Sequence, residues 1–420
     1  MNEGIEVHIE LEGRMLLVGR LWTRAQKGRE SASFEYAKDW LTTPSRFALE
    51  PALTLDPGAH HTRVGHGLFG AIGDSAPDRW GRMLLQRMER KTAEREGRSP
   101  HALLEADYLL GVDDGIRLGA LRFKRPGETV FLAHSTRKIP PLVFLPKLLG
   151  ASDRVIEDRD SEEDLRLLLA PGSSLGGARP KAVMADAKGN LWLAKFPHKE
   201  DEYDVQSWSY LVLKLAEMAG ISVPPCQRVP AKRRTVLLVS RFERLGTARL
   251  PFLSAMSMLG AADGETHSYL EIVDSLRRYG AQPEKDQREL WRRVLFNVLV
   301  SNVDDHLRNH GFLYDSVHRG WRLAPAYDLN PVPHDLRPPY LATAINEGET
   351  EASFELVMST VGYYGLGGDE ARRIIRATVQ AVSGWRRQAA KLRIHRKEVE
   401  RMASAFEHKA ARAAELEAAK

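Results

Sequence analysis

Three polar side chains between residues 301 and 330 have the types and the spacing that phosphoryl transfer requires. Asn309 follows Asp304 by five positions, and Asp328 comes after a predicted β-hairpin. In phosphoryl transfer, one carboxylate orients the attacking hydroxyl group, while an asparagine and a second aspartate hold magnesium on the phosphates. The D-x-x-x-x-N spacing is that of a protein-kinase catalytic loop. The segment therefore predicts a magnesium-dependent phosphoryl-transfer site.

Two other interpretations of this segment stay open. One is a hydrolytic metal site, since imidazole and carboxylate ligands suit zinc or manganese. Its ligands would be Asp304, Asp305, His306 and His310. No H-E-x-x-H motif or other distant histidine motif accompanies them. The second interpretation is purely structural: the aspartates cap a helix and Asn309 fills a turn, which an isolated D-x-x-x-x-N pattern would favour.

A glycine-rich segment and a lysine on a predicted strand precede these residues. The segment GSSLGGARPK at 172–181 offers backbone N–H groups that can approach a phosphate, followed by basic side chains. It lacks the G-K-[ST] ending of a Walker loop, and it precedes a hairpin instead of opening a helix. Lys195 lies on the second strand of that hairpin, where kinases place the lysine that pairs with the α- and β-phosphates. Taken alone, these features also fit a flexible connector and a solvent-facing lysine.

These side chains need a particular order of elements to bring them together. The pattern predicts a helix capped by Asp204, a strand over 235–240, and a helix over 286–300 with apolar residues on two adjacent ridges. The last helix, buried over a wide face, leads directly to Asp304. The order is then glycine-rich loop, strand lysine, helix, strand, helices, D-x-x-x-x-N, hairpin and aspartate. Each part is weak evidence, but a chance match to this kinase-like order is rare.

The N-terminal third contains different elements. Residues 1 to about 60 alternate apolar and polar side chains like short strands, and an amphipathic helix entered through Pro77 follows. Residues 118–131 are typical of two strands joined by a Pro-Gly turn, and the sequence IPP at 139–141 marks a boundary. The chain is therefore predicted to be α+β.

Composition excludes several classes of protein. The 420 residues are 43% hydrophobic and 28% charged, as in a folded chain. The single cysteine, Cys226, excludes an intramolecular disulfide and a cysteine-rich zinc site. Apolar runs stay below about 18 residues and the N-terminus is unlike a signal peptide, so we expect a cytoplasmic protein that does not enter the membrane. The net charge of +5, with basic clusters at 232–234, 386–387 and 391–401, indicates nucleic acid only weakly.

The chain also resembles the HipA-like serine/threonine kinases of bacterial toxin–antitoxin modules over nearly its whole length. The motifs that carry this resemblance are VGRLW at 18–22, LFGAIGDSAPDRWGRMLL at 68–85, SSLGGARPK at 173–181, LAKFP at 193–197, LLVSRFER at 237–244, NVDDHLRNHGF at 302–312 and PAYDLNP at 325–331. Together these motifs are highly specific.

The resemblance implies a two-lobed protein-kinase-like fold with a mainly helical C-terminal lobe. We expect a small β-rich N-terminal subdomain of the HipA type at 1–134, a small lobe with the ATP lysine at 135–252, and a large lobe with the catalytic loop at 253–420. ATP and Mg²⁺ would be the cofactors. The kinase would arrest growth by phosphorylating a translation component such as an aminoacyl-tRNA synthetase. Its partner would be a helix-turn-helix (HTH) antitoxin of the HipB type, and it would contact DNA only through that antitoxin.

The resemblance also implies roles for individual residues. Asp304 is similar to the catalytic base, and His306 accompanies it in the family's D-x-H-x-x-N pattern. Asn309 and Asp328 are similar to the magnesium ligands. Ser174 matches a loop serine whose autophosphorylation silences relatives, because the modified loop no longer closes over ATP. The residues expected to bind the nucleotide are Lys195, Ser174, Gly176, Gly177, Lys181, Ser240 and Phe242, the last two at the hinge near adenine.

One position departs from the family. In the helix after Lys195, relatives often have a glutamate just beyond a position like Trp208, and here that residue is Ser209. A Lys-Glu pair normally fixes the lysine of a kinase. Ser209 therefore keeps open a second hypothesis, a non-catalytic nucleotide-binding regulator that acts with an HTH antitoxin on DNA. A third hypothesis, a direct nucleic-acid binder, has no recognisable DNA-binding motif to support it.

Overall fold

The computed structural model describes residues 4–11, 13–26, 28–132, 139–169, 177–231 and 234–420. The chain divides into two compact units. The first unit comprises residues 1–199 and 238–260, and the second comprises residues 200–237 and 261–420.

The first unit begins with a five-stranded antiparallel sheet of order β4-β3-β2-β1-β5. Its strands are β1 (Ile5–Leu11), β2 (Arg14–Gln26), β3 (Arg29–Tyr36), β4 (Ala59–His61) and β5 (Leu121–Lys124). Val7 and Ile9 are fully buried, as their alternation with polar residues predicts. This sheet is the β-rich N-terminal region that the sequence predicts.

The helices described in residues 1–199 of the first unit are α1 (Lys38–Thr42), α2 (Gly70–Gly73), α3 (Arg79–Glu96), α4 (Glu105–Gly111), α5 (Leu145–Ile156) and α6 (Glu162–Leu169). The longest, α3, is the helix predicted after Pro77. Asp78 caps its N-terminus by accepting the N–H of Gly81, and Gly97 ends it in the left-handed conformation. The helix buries Trp80 and Leu84.

A hairpin follows in the first unit, as predicted. Its strands β6 (Lys181–Ala185) and β7 (Leu191–Lys195) are antiparallel and place Lys181 directly opposite Lys195. Val183 and Leu193 pack together with Ile116 in a buried apolar cluster.

The chain then forms helix α7 (Val205–Met218) and two further strands, β8 (Cys226–Ala231) and β9 (Arg234–Ser240). The order of this four-stranded sheet is β6-β7-β9-β8. The remaining elements of the first unit are β10 (Arg244–Leu245), β11 (Ala248–Arg249), β12 (Phe252–Ser254) and α8 (Ala255–Leu259).

The second unit is mainly helical. Its elements after α7 and β8 are α9 (Tyr269–Tyr279), α10 (Pro283–Leu299), the hairpin of β13 (Gly311–Asp315) and β14 (Gly320–Leu323), α11 (Phe354–Ser359), α12 (Gly368–Ser383), α13 (Trp385–Lys391), α14 (Arg396–Phe406) and α15 (Lys409–Ala418). Both apolar ridges predicted for α10 are buried. None of the helices in the described ranges combines the length and the apolar character that a membrane crossing requires.

Aromatic packing fixes α7 within the second unit. The Trp208 ring lies 6.1 Å from that of Trp385 and 6.2 Å from that of Phe406, and the latter two rings stack at 4.6 Å. The indole N–H of Trp208 donates to Glu398 at 3.2 Å. Because such side chains bury large areas at low entropic cost, this contact holds α7 in one register against α13 and α14.

A buried carboxyl group in the first unit makes stability depend on pH. Glu50 is 5% exposed and accepts the backbone N–H of Ala71. Burial raises the pKa of Glu50 from 4.5 to about 7, and the nearby Asp74 adds to this, while Ala71 and Arg63 oppose it. A raised carboxyl pKa means that the folded state favours the protonated form. The contribution of protonated Glu50 to the free energy of unfolding is therefore complete below about pH 4.5, and it is lost as pH rises through 7.

We therefore expect Glu50→Gln to stabilise the protein at pH 8 but not at pH 5. The pKa difference between 4.5 and about 7 corresponds to at most about 3 kcal/mol. Urea unfolding of both proteins at the two pH values measures the effect. Glu35→Gln, at an exposed position on β3, is the control and should leave the free energy of unfolding unchanged at both pH values. Parallel pH dependence in wild type and Glu50→Gln would contradict this role of Glu50.

Candidate active site

The candidate catalytic loop of the second unit starts where α10 ends. Ser301 adopts a left-handed conformation with a φ of 51°, which turns the chain out of the helix. The next residue, Asn302, is fully buried and its backbone N–H donates to the carbonyl oxygen of Asn297 at 2.9 Å. The loop therefore starts from a position fixed on α10.

Asp304 lies at the exposed tip of this loop. Its carboxylate Oδ1 accepts from the Arg337 guanidinium at 2.9 Å, in an ion pair whose side chains are both more than half exposed. Its carbonyl oxygen accepts two hydrogen bonds of 3.0 Å, from the backbone N–H of His306 and from the amide group of Asn309. The backbone of Asp304 is thus fixed, while its carboxylate is accessible to a substrate.

The neighbouring Asp305 has the opposite environment. It is 2% exposed, and its Oδ2 lies 2.6 Å from the Tyr269 hydroxyl, 2.8 Å from the Asn297 amide nitrogen and 2.7 Å from His310 Nε2. Burial raises the pKa of Asp305, but His310 and the hydrogen bonds outweigh burial and bring it below its ordinary value. Asp305 is therefore a structural anchor of the loop.

This arrangement does not support the hydrolytic metal site. Two of its four candidate ligands, Asp305 and His310, are buried against each other. In the described part of the chain, no three His, Cys, Asp or Glu side chains form a group that could hold a metal ion.

Asn309 is placed as a magnesium ligand would be. It is 5% exposed, and its amide nitrogen donates to the carbonyl oxygen of Asp304 at 3.0 Å. Its amide oxygen is buried and has no hydrogen-bond partner within the described residues. A buried acceptor normally has a partner, and where no protein group supplies it an ordered water, an ion or a ligand does. The unpaired oxygen therefore fits a metal ion that prefers oxygen ligands.

Asp328 is the second candidate ligand, and its backbone is strained. Its φ of 58° is in the left-handed region, which costs a non-glycine residue on the order of 1 kcal/mol. The amide nitrogen of Asn330 donates to the Asp328 carboxylate at 3.1 Å and to its carbonyl oxygen at 3.2 Å. These bonds compensate for the strain and orient the carboxylate.

Two further hydrogen bonds connect the Asp328 segment to the catalytic loop. The Tyr327 hydroxyl donates to the carbonyl oxygen of Arg308 at 2.7 Å, and the backbone N–H of Asn330 donates to Asn302 Oδ1 at 3.0 Å. The second unit thus connects Asp304, His306, Asn309 and Asp328 through one hydrogen-bond network. One carboxylate and one amide oxygen are ligands that Mg²⁺ accepts, with phosphate and water oxygens completing its shell.

His306 is half-buried, and in the sequence it follows Asp304 and Asp305 and precedes Asn309. Its carbonyl oxygen accepts the backbone N–H of Asn309 at 2.8 Å, so it helps to shape the loop. Its ring atom Nδ1 is buried and has no hydrogen-bond partner within the described ranges.

The remaining predicted site residues lie in the first unit or outside the described residues. Lys195 ends β7 and is half-buried; Gly177 is exposed; Ser240 ends β9; and Phe242 is half-buried, with its ring 6.2 Å from that of Phe252. Ser174 and Gly176 lie outside the described residues.

Lys181 is held in a buried ion pair. It is 3% exposed, and its Nζ lies 2.5 Å from Asp78 Oδ2 and donates to the carbonyl oxygen of Gly177 at 2.9 Å. The Trp80 indole N–H donates to the carbonyl oxygen of Lys181 at 3.0 Å. Lys181 therefore connects the start of β6 to the N-terminus of α3. Lys181 and Lys195 lie opposite each other in the hairpin, and Asp78 offsets the positive charge of Lys181.

Several residues that complete the site escaped the analysis of the sequence. Arg337, Tyr327 and Asn302 each contact the loop through bonds to residues 19 to 33 positions away. Such spacings follow no helical or strand period. The motifs did carry a signal for three of these residues: Tyr327 and Asn330 stand in PAYDLNP, and Asn302 opens NVDDHLRNHGF, whereas Arg337 lies outside both.

Comparisons with known proteins show that this chain is similar to proteins named as kinases and to a chain of a solved toxin–antitoxin complex. The protein "Putative kinase Y4mE" of Sinorhizobium fredii is 29% identical over 195 residues, which are 40% of this chain and 43% of that protein. The serine/threonine-protein kinase CtkA of Helicobacter pylori is 23% identical over 169 residues, 38% of this chain and 51% of that protein. The chain thus matches about half or less of the length of these relatives.

The fold has a match over almost the whole chain. A chain in the solved complex of HipA, HipB and operator DNA of the Shewanella oneidensis MR-1 toxin–antitoxin system has a TM-score of 0.66 and 18% identity. The match covers 96% of this chain and 95% of that one. It confirms the predicted α+β, protein-kinase-like fold with a small β-rich N-terminal subdomain.

The family model described as the HipA-like C-terminal domain matches residues 173–386. These residues are half of the chain, and they include Lys195, the catalytic loop and Asp328. The chain therefore belongs to the family of proteins with a HipA-like C-terminal domain.

Proposed function

We propose that this protein is an ATP- and Mg²⁺-dependent protein serine/threonine kinase. The proposal is carried by two features of one network, a buried Asn309 oxygen without a partner among the described residues and a strained, hydrogen-bonded Asp328. The same network fixes the backbone of the exposed Asp304. Backbone strain and unpaired buried acceptors cluster at functional sites.

In this proposal each residue has a defined task. Asn309 and Asp328 hold Mg²⁺, which when bound offsets the negative charge of the phosphates. Asp304 orients the attacking hydroxyl group and accepts its proton on a carboxylate oxygen, while His306 maintains the shape of the loop. The Lys195 ammonium group pairs with the α- and β-phosphates, as the resemblance to the family implies.

We further propose that the kinase is a cytoplasmic toxin that phosphorylates a translation component, such as an aminoacyl-tRNA synthetase. A HipB-type HTH antitoxin is the proposed partner, and DNA is contacted only through it. The structural relative from Shewanella oneidensis, solved as a complex with HipB and operator DNA, supports this partner.

The second candidate function is a nucleotide-binding regulator without catalysis. Ser209, at the position where relatives often carry a glutamate, is the feature that favours it. The two hypotheses differ in one property, phosphoryl transfer, and share nucleotide binding. Turnover therefore distinguishes them.

The metal site predicts that nucleotide binding depends on magnesium. We expect the wild type to bind ATP well only with Mg²⁺, and Asp328→Ala to weaken that binding by at least about 10-fold, because losing a residue that only orients a metal ligand already costs about 10- to 100-fold in metal affinity. Isothermal titration calorimetry with and without Mg²⁺ measures both effects. Asp274→Ala removes an exposed carboxylate on α9 and is the matched control. Equal affinities for wild type and Asp328→Ala, with and without Mg²⁺, would remove the proposed site.

The proposed base predicts a loss of turnover without a loss of fold. We expect Asp304→Asn to keep ATP affinity and melting temperature but to lose phosphoryl transfer about 10²- to 10⁴-fold. Transfer is measured as label incorporated from γ-labelled ATP and as ADP release. Asp305→Asn is the contrasting variant. It should lower the melting temperature, because it alters a buried carboxylate that accepts three hydrogen bonds. Undiminished transfer by Asp304→Asn would end the assignment of this base.

We also propose that Ser174 is an autoregulatory phosphorylation site. A phosphate adds about −1.5 to −2 charges to the glycine-rich segment. Lys181 is held by Asp78, so the basic side chain that we expect to respond is the exposed Arg179. The phosphate would draw it away from ATP and hold the loop in another arrangement.

Mass spectrometry after incubation with ATP and Mg²⁺ tests this proposal. It should find phosphate on Ser174 in the wild type but not in Asp304→Asn, and the modified protein should bind ATP more weakly. A wild type that phosphorylates a substrate while Ser174 stays unmodified, or that keeps full ATP affinity after modification, would rule out the switch.

A further inference from the structure

Ser209 is buried beside the Asp328 segment. It lies on α7, is 3% exposed, and its hydroxyl group donates to Asn330 Oδ1. The same Asn330 side chain donates to Asp328 through its nitrogen. A continuous chain of hydrogen bonds therefore runs from α7 to a candidate metal ligand.

The position of Ser209 determines which way the Asn330 amide faces. The Asp328 carboxylate and carbonyl group are both acceptors, so they require the amide nitrogen on their side. The amide oxygen then faces α7, where only a donor is compatible with it. Ser209 supplies that donor, whereas a carboxylate at this position would face the amide oxygen and repel it.

The donor itself is rigid. Trp208, the preceding residue, is packed against Trp385 and Phe406, and Asp204 caps the helix by accepting the N–H of Ser207. The backbone N–H of Asn330 is held separately by Asn302. Asn330 is thus fixed at its backbone by the catalytic loop and at its side chain by α7.

We infer that Ser209 is a positioning residue for the metal site: through Asn330 it sets the orientation of the Asp328 carboxylate. This inference rests on the proposed function, because it assigns Asp328 to magnesium. In this chain, α7 therefore acts on a metal ligand through a neutral hydroxyl group. The serine is a replacement for the family glutamate with a different task, and it does not indicate lost activity.

The test measures metal binding directly, with Mn²⁺ as the probe in place of Mg²⁺. Free Mn²⁺ is followed by electron paramagnetic resonance in the presence of saturating ADP, so no turnover is needed. We expect Ser209→Ala to raise the Mn²⁺ dissociation constant about 10-fold, the usual cost of losing a residue that orients a ligand. Ser209→Thr keeps the hydroxyl group and should restore binding to within about 2-fold of the wild type.

Ser207→Ala provides the matched control. Ser207 is a second buried serine of α7, but its hydroxyl group contacts Asp204 and Thr235 instead of Asn330. We expect it to lower the melting temperature as Ser209→Ala does, with no change in Mn²⁺ affinity. Ser209→Cys, which is nearly isosteric and a weak donor, gives an intermediate affinity and replaces Ser209→Ala if that variant does not fold.

Ser209→Glu separates this inference from the glutamate-based explanation. If Ser209 were merely a lost glutamate, Ser209→Glu would increase activity. We expect instead that it reverses the Asn330 amide and binds Mn²⁺ more weakly than Ser209→Ala.

The outcomes distinguish the inference from the function on which it rests. Unchanged Mn²⁺ affinity in Ser209→Ala, together with a loss in Asp328→Ala, overturns the role of Ser209 and leaves the metal site intact. Affinity in Ser209→Glu at or above the wild-type value also overturns it. A wild type in which Mn²⁺ and ADP bind independently, with no effect of Asp328→Ala, overturns both.

Discussion

The buried Asp305 carboxylate is the interaction on which the candidate site depends. Its donors come from three places: Tyr269 on α9, Asn297 on α10, and His310 at the far end of the catalytic loop. One carboxylate thus fixes the loop to two helices and closes it on itself. Removing one donor to a buried, charged acceptor of this kind typically costs about 1.5–3 kcal/mol, because each hydrogen bond to a charged group contributes about that much. The backbone of the neighbouring Asp304 is held by the same loop, while its exposed carboxylate avoids the desolvation cost of burial.

The network extends from this anchor to Asp328, the second proposed metal ligand. Asn297 also accepts from the Asn302 amide nitrogen at 3.0 Å, and Asn302 in turn accepts the Asn330 backbone N–H. The left-handed conformation of Asp328 is sustained by these bonds, which over-determine its position. Because the members are mostly amides, each has both a donor and an acceptor, and the direction of every bond depends on its neighbours. A single changed partner such as Ser209 can therefore alter a distant carboxylate.

Periodicity and motifs predicted most elements of this fold, whereas pairings distant in sequence escaped them. The prediction of two strands over 118–131 was wrong: of these described residues only β5 (Leu121–Lys124) forms a strand, and those after the Pro-Gly turn form none. The two ridges of α10 and the hairpin after the glycine-rich segment follow from local patterns of side chains. By contrast, Lys181 meets Asp78 across 103 positions. His8, at a polar position of an alternating strand, is buried against Glu6, and its ring lies 5.7 Å from that of Phe131. The task of Ser209 was likewise hidden, since a departure from a motif shows what is missing and not which new partner has been gained.

The two adjacent aspartates of the loop differ in how easily their partners can be replaced. The Asp305 contacts are buried and directional, so they persist while the protein is folded. The Asp304–Arg337 ion pair is more than half exposed on both sides, and pairs of this kind contribute about 0–1 kcal/mol. In the proposed kinase reaction, a substrate hydroxyl group would therefore replace Arg337 at Asp304 at little cost, whereas the buried contact of His310 with Asp305 would persist. The sequence DD places a rigid anchor and an exchangeable acceptor one residue apart, and burial alone assigns the two roles.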